Sequence, residues 1–119
     1  MIAELKNMFS SGIDIPLEIY CPVNPEHFKL TIQLMIGLKD AEGVDSFDTL
    51  ICTPSWIAEE CEQQNGVWGY GRLVVSRWNY NLIRTRIERY ISTCSGGDWP
   101  ELANQFTKIG TWEFENYQA

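Results

Sequence analysis

The stretch FKLTIQLMIGL, residues 28–38, decides the fold. Phe28, Leu30, Ile32, Leu34 and Ile36 fall on one side of an extended chain, with Lys29, Thr31, Gln33 and Met35 on the other. Alternation of this strictness describes a strand with one buried and one wet face. Immediately after it, KDAEGVDS (39–46) has the charge and glycine of a hairpin connection, and FDTLICT (47–53) is rich in β-formers. The two strands are therefore expected to pair antiparallel.

Upstream, AELKNMF (3–9) reads as a weak first strand, with Leu5 and Phe9 on one side and Glu4 and Lys6 on the other. SSGIDIPLEIYCPVNPE (10–26) carries three prolines and a glycine and predicts an irregular connection. Connections this long inside compact domains often carry function. Downstream, Thr53 offers an N-cap with Pro54 at the first helical position, and PSWIAEECEQQ (54–64) places Trp56, Ile57 and Cys61 near one stripe. Gly66 stops this helix, and GYGRLVVSRW (69–78) predicts a third strong strand. Asn79 or Asn81 then caps a helix with Ile83, Ile87, Tyr90, Ile91 and Cys94 at helical spacing and Arg84 and Glu88 as an i, i+4 pair.

SGG (95–97) breaks that helix. Asp98 with Glu101 three residues later resembles a capping box opening a short helix through WPELANQFTKI (99–109). After Gly110, TWEFENY (111–117) has period two, placing Trp112 and Phe114 on one face and Glu113, Glu115 and Tyr117 on the other. Strands and helices do not alternate regularly along the chain. The expected architecture is α+β, a largely antiparallel sheet with about three helices packed mainly on one face, in a single domain over residues 1–119.

With 119 residues, a 45% hydrophobic and a 21% charged fraction, the chain is long enough to bury a core without staples. Its net charge of −7 is uneven. Residues 1–62 hold eleven acids against three lysines, whereas residues 63–97 hold Arg72, Arg77, Arg84, Arg86 and Arg89 against Glu88 alone. An acidic chain repels phosphate backbones and favours basic partners, so no nucleic-acid partner is expected. The four cysteines lie far apart with no C-x-x-C pair, and the single histidine, His27, completes no zinc spacing. No metal or cofactor is expected, and the cysteines should be reduced and mostly buried. The N-terminus lacks a signal-peptide pattern and no stretch is apolar enough to span a bilayer, which predicts a cytoplasmic protein with no membrane partner.

Candidate chemistry is sparse. Glu113 and Glu115 would stand about 7 Å apart on one strand face, a separation seen in some glycosidases, but two glutamates on a strand commonly form a solvated or partner-facing row. His27 is read as a surface histidine. Arg84, Arg86 and Arg89 read as a solvated helix surface with local ion pairs. Trp56, Trp78 and Trp99 are expected in the core. Trp68 differs, because NGVWGYG (65–71) surrounds it with glycines and polar residues, and Trp68 and Tyr70 are candidates for exposed binding anchors.

SFDTLICTPSWIAEE (46–60), GYGRLVVSRWNYNLIRTRI (69–87), CSGGDW (94–99) and the tail WEFENY (112–117) together resemble the immunity protein 8 family of bacterial polymorphic-toxin systems, which include contact-dependent growth inhibition. The similarity also touches AELKNMFSS at the start, whereas Gly12 to Glu26 and EQQNGVWGY match no stated pattern. What the resemblance implies is a non-enzymatic inhibitor that binds the C-terminal domain of a cognate toxin stoichiometrically. Charge then suggests a basic nuclease as the toxin. The candidate toxin-binding residues are Asp40, Glu42 and Asp45 in the hairpin, Glu59, Glu60 and Glu62 on the first helix, Trp68 and Tyr70, and Glu113, Glu115 and Tyr117 in the tail. The alternative reading is a non-catalytic small-molecule or adaptor binding module.

Overall fold

The computed structural model describes residues 1–113 of the chain. Strands β1 (Ala3–Phe9), β2 (Lys29–Leu38) and β3 (Asp45–Cys52) form an antiparallel meander. The alternation of residues 28–38 works as its period requires. Ile32, Leu34 and Ile36 are fully buried, as are Phe47 and Ile51 across from them on β3, while Lys29 and Thr31 stay in water. Each such side chain contributes about 1.5–3 kcal/mol by leaving solvent, which makes this face the main source of sheet stability.

β1 departs from its expected parity. Its register against β2 shifts between Leu5 and Asn7, so a bulge at Lys6 advances the strand by one residue. Met8 therefore points into the core beside Leu5, and Phe9 is turned outward.

The outer edge of β3 is shared. Its second half pairs in parallel with β4 (Arg72–Val74), and its first half pairs antiparallel with β5 (Thr111–Trp112). Helix α1 (Pro54–Gln64) is the crossover that a parallel β3–β4 pair demands. The strong strand expected over 69–78 is only three residues long. Gly71, at φ +72°, turns the chain into β4, and beyond it the backbone leaves the sheet so that Trp78 N donates to the Pro25 carbonyl at 2.7 Å. Trp78 Nε1 also donates to the Tyr20 carbonyl, and its ring meets Tyr20 and Phe28 edge-on. These contacts pin the long proline-bearing connection, whose own regular piece is one 3-10 turn at Leu17–Ile19.

Helices α2 (Tyr80–Thr93) and α3 (Trp99–Phe106) cover the apolar face of the sheet through Ile83, Ile87, Ile91, Leu102, Ala103 and Phe106. Asn79 is the cap that forms at α2, its side chain accepting from Leu82 N at 3.1 Å, and Asp98 caps α3 by accepting from Glu101 N at 2.9 Å. The Glu101 carboxylate reaches back to Gly97 N, one residue before the position a capping box uses. Thr53 precedes α1 in extended conformation, yet its hydroxyl does not cap the helix. It accepts from Phe28 N at 3.1 Å, tying the end of β3 to the start of β2.

α1 itself buries no residue completely. Its Trp56 lies over Lys29 and Arg72, which the strand registers place on the sheet face opposite α2 and α3. Trp56 is thus outside the core where it was expected, whereas Trp78, Trp99 and Trp112 pack half-buried against it. The cysteines are all free, but Cys52 alone is buried, Cys61 and Cys94 are partly exposed and Cys21 is exposed. Cys52 lies on the α1 side of the sheet, in register with Lys29 and Val74.

Candidate functional site

The loop between α1 and β4 presents the largest exposed aromatic surface among the described residues. Trp68 is 78% and Tyr70 75% exposed, and their ring centroids stand 6.4 Å apart. Asn65, in the left-handed region, and Gly66 end α1, while Gly71 returns the chain to β4 with its carbonyl accepting from Leu50 N at 3.2 Å. The two ends of the loop are therefore fixed to regular structure, and its tip has nothing apolar to cover. A tryptophan and a tyrosine held in water by an anchored loop are residue types on which protein interfaces concentrate their binding energy.

Tyr70 also lines a cleft of about 220 Å³ with Leu50, Gly71, Arg72, Thr107, Gly110 and Thr111. The cleft lies where the outer edge of β3 passes from β4 to β5. Thr49, in the gap between the two short strands, satisfies its hydroxyl by donating to the Ile109 carbonyl.

The candidate acids do not assemble into one patch. Asp40 and Glu42 lie exposed in the hairpin between β2 and β3. Asp45 has a structural task, since its Oδ2 accepts from Trp99 Nε1 at 2.6 Å and from Trp112 Nε1 at 3.0 Å. Glu113 is likewise engaged, its carboxylate accepting from Ser46 N at 2.8 Å while its own N donates to Ser46 O at 3.0 Å. On α1, Glu59 pairs with His27 Nε2 at 3.2 Å, Glu60 accepts from Gln64, and Glu62 is exposed. His27 is further held by Ser55, at 2.7 Å from Nδ1. Glu115 and Tyr117 lie outside the described residues, so the proposed Glu113 and Glu115 pair has one described member, and that member is bound to backbone.

Sequence reasoning passed over a cluster of a different sign. Lys29 Nζ lies 5.3 Å and the Arg72 guanidinium carbon 5.9 Å from the centroid of Trp56. Cys52 lies beneath them, its thiol pKa pushed up by burial and partly drawn back by the Arg72 charge and a side-chain hydrogen bond with Arg72. The three side chains come from β2, α1 and β4, and only the parallel pairing of β4 brings them together.

Among the described residues no group of three or more histidine, cysteine, aspartate or glutamate side chains is placed to hold a metal. No helix among them is long and apolar enough to cross a membrane. No curated protein and no solved structure matches the chain significantly. The family model described as Immunity protein 8, in contrast, matches residues 3–117, nearly the whole length. On that match the chain belongs to the immunity protein 8 family.

Proposed function

We propose that this protein binds a cognate toxin domain at one-to-one stoichiometry in the cytoplasm of the producing cell, and neutralises it without chemistry of its own. Family membership supports an immunity role. The observation that carries the binding mode is the Trp68–Tyr70 pair, two large rings left in water on a loop fixed at both ends. The engagement of Glu113 by Ser46 N favours this reading over a hydrolase, because that carboxylate already serves the end of the sheet.

The toxin is proposed to be the C-terminal domain of a polymorphic toxin, as in contact-dependent growth inhibition. A net charge of −7 favours a basic toxin such as a nuclease, since complementary fields speed encounter and reject wrong partners. The test is co-expression with the C-terminal domain of the large protein encoded immediately upstream, scoring growth and co-purification in the same cells. Rescue of growth with a one-to-one complex is expected. A toxic neighbour that is neither bound nor suppressed would refute the proposal.

A further inference from the structure

On the α1 side of the sheet, Lys29 and Arg72 share one indole and have no counter-charge among the described residues. Neither enters an ion pair among the described residues, although the chain holds 16 acids against 9 lysines and arginines. Arg72 Nη1 is sealed from solvent and has no hydrogen-bond partner, and it is the sole buried side-chain nitrogen or oxygen in that state among the described residues. A guanidinium N–H left in this way destabilises the fold, and the usual remedy is a carboxylate.

The unpaired cation adjoins the exposed rings. Arg72 follows Tyr70 by two residues and lines the same cleft. Nη1 itself has no bond to break, so a swing of the half-buried Arg72 side chain toward the cleft mouth gives up only its interaction with the Cys52 thiol and its place against Trp56. A fork of N–H donors suits a carboxylate in both shape and charge.

We infer that Arg72, with Lys29 beside it, receives a carboxylate side chain of the toxin domain, while Trp68 and Tyr70 pack around that contact and exclude water. The inference rests on the function proposed above and places its docking surface on the loop and the α1 side of the sheet. A polyanion is disfavoured as the occupant because the net charge of −7 opposes its approach. The local contact therefore has the opposite sign to the long-range field: a basic toxin is steered in by the acids and seated through one of its own carboxylates.

The test is calorimetric titration of the upstream-encoded toxin domain into the full-length protein and its variants, each checked by thermal melting. Arg72→Met should weaken binding by about 30-fold or more, as loss of one partner of a desolvated charge pair does. Its melting temperature should stay level or rise, because an apolar chain under Trp56 removes the unpartnered N–H. The exposed Lys29→Gln should weaken binding by about 3-fold to 10-fold, and Trp68→Ala by about 10-fold or more, without change in melting. Arg86→Gln on α2, which removes a cation elsewhere, should bind as the wild type does.

If the wild type binds and both Arg72→Met and Lys29→Gln bind equally well, the carboxylate site is overturned while the immunity role stands. The same holds if Arg72→Met loses affinity only in step with a lowered melting temperature and Lys29→Gln is unaffected. Arg72-dependent retardation of a single-stranded oligonucleotide, without Arg72-dependent toxin binding, would assign the site to phosphate and overturn the inference. A wild-type protein that neither binds nor protects refutes the immunity role itself, and the inference falls with it.

Discussion

Removal of the Asp45 carboxylate should loosen the C-terminal third of the protein. Oδ2 of Asp45, at the start of β3, accepts from two indoles, Trp99 Nε1 on α3 and Trp112 Nε1 on β5. One oxygen thus holds a helix and a strand that are far from it in sequence. A hydrogen bond to a charged acceptor contributes about 1.5–3 kcal/mol, and Asp45 is half-buried, so a value at or just below the low end, about 1–1.5 kcal/mol, applies to each. Asp45→Ala should therefore lose about 2–3 kcal/mol. With an unfolding entropy of about 2.1 cal/mol/K per residue, a 119-residue chain loses about 4 °C of melting temperature per kcal/mol. The expected shift is about 8–12 °C downward, with a loss of near-ultraviolet circular dichroism as the Trp99 and Trp112 environments relax. Asp45→Asn keeps an oxygen that can accept from both indoles, with weaker neutral bonds, and should recover about half of the loss. An alanine variant melting within about 2 °C of the wild type, or an asparagine variant as damaged as alanine, would refute the clamp.

Phe106→Ala removes a fully buried ring that meets Phe47 edge-on at 5.5 Å, and should lower stability by about 3–5 kcal/mol in urea unfolding; a loss below about 1 kcal/mol would show that the site collapses freely. Gly37→Ala drives a methyl group into the Gly43 carbonyl across the hairpin and should lower stability by about 1–3 kcal/mol, whereas Gly12→Ala, in open space, should be close to neutral. Cys52 predicts a specific pH dependence. Burial raises its pKa, with Arg72 opposing, so the folded state holds the thiol proton more tightly than the unfolded chain does. Its contribution is full below the unfolded thiol pKa of about 8.5 and is lost as pH rises through the folded value, so the stability difference between wild type and Cys52→Ala should narrow above that pH. In thiol labelling of the native protein Cys21 should react first and Cys52 last, and rapid modification of Cys52 would contradict its burial.

Much of the fold was legible in local pattern. The period-two run at residues 28–38 specified its own buried face, and the isoleucines at 83, 87 and 91 specified that of α2. Asn79 and Asp98 acted as the caps their types suggest. The departures have identifiable causes. A bulge at Lys6 exchanged the roles of Met8 and Phe9. A competing donor, Phe28 N, took the Thr53 hydroxyl away from α1. Within residues 69–78, apolar β-formers extended the expected strand beyond Val74, where contact of Trp78 with the long connection overrode local preference. At the candidate surface, the glycines and polar residues around Trp68 left exposure and a cap on the sheet edge both open, and the folded loop leaves Trp68 and Tyr70 exposed. The acids gave no signal, since a glutamate quoted alone does not reveal whether a backbone N–H waits for it, as Ser46 N does for Glu113.

The sequence by itself determined the fold class, the buried faces of β2 and α2 and the family, because periodicity, capping and motif spacing are local properties that survive without knowledge of distant partners. Tertiary structure alone decided that β4 runs parallel to β3, which sent α1 to the far side of the sheet and set Arg72 under Trp56 beside Lys29. It also joined Asp45 to two tryptophans that lie 54 and 67 residues away. Strand partnership and the meeting of side chains across such separations depend on how loops close and cores pack, and that information is held by the folded chain as a whole.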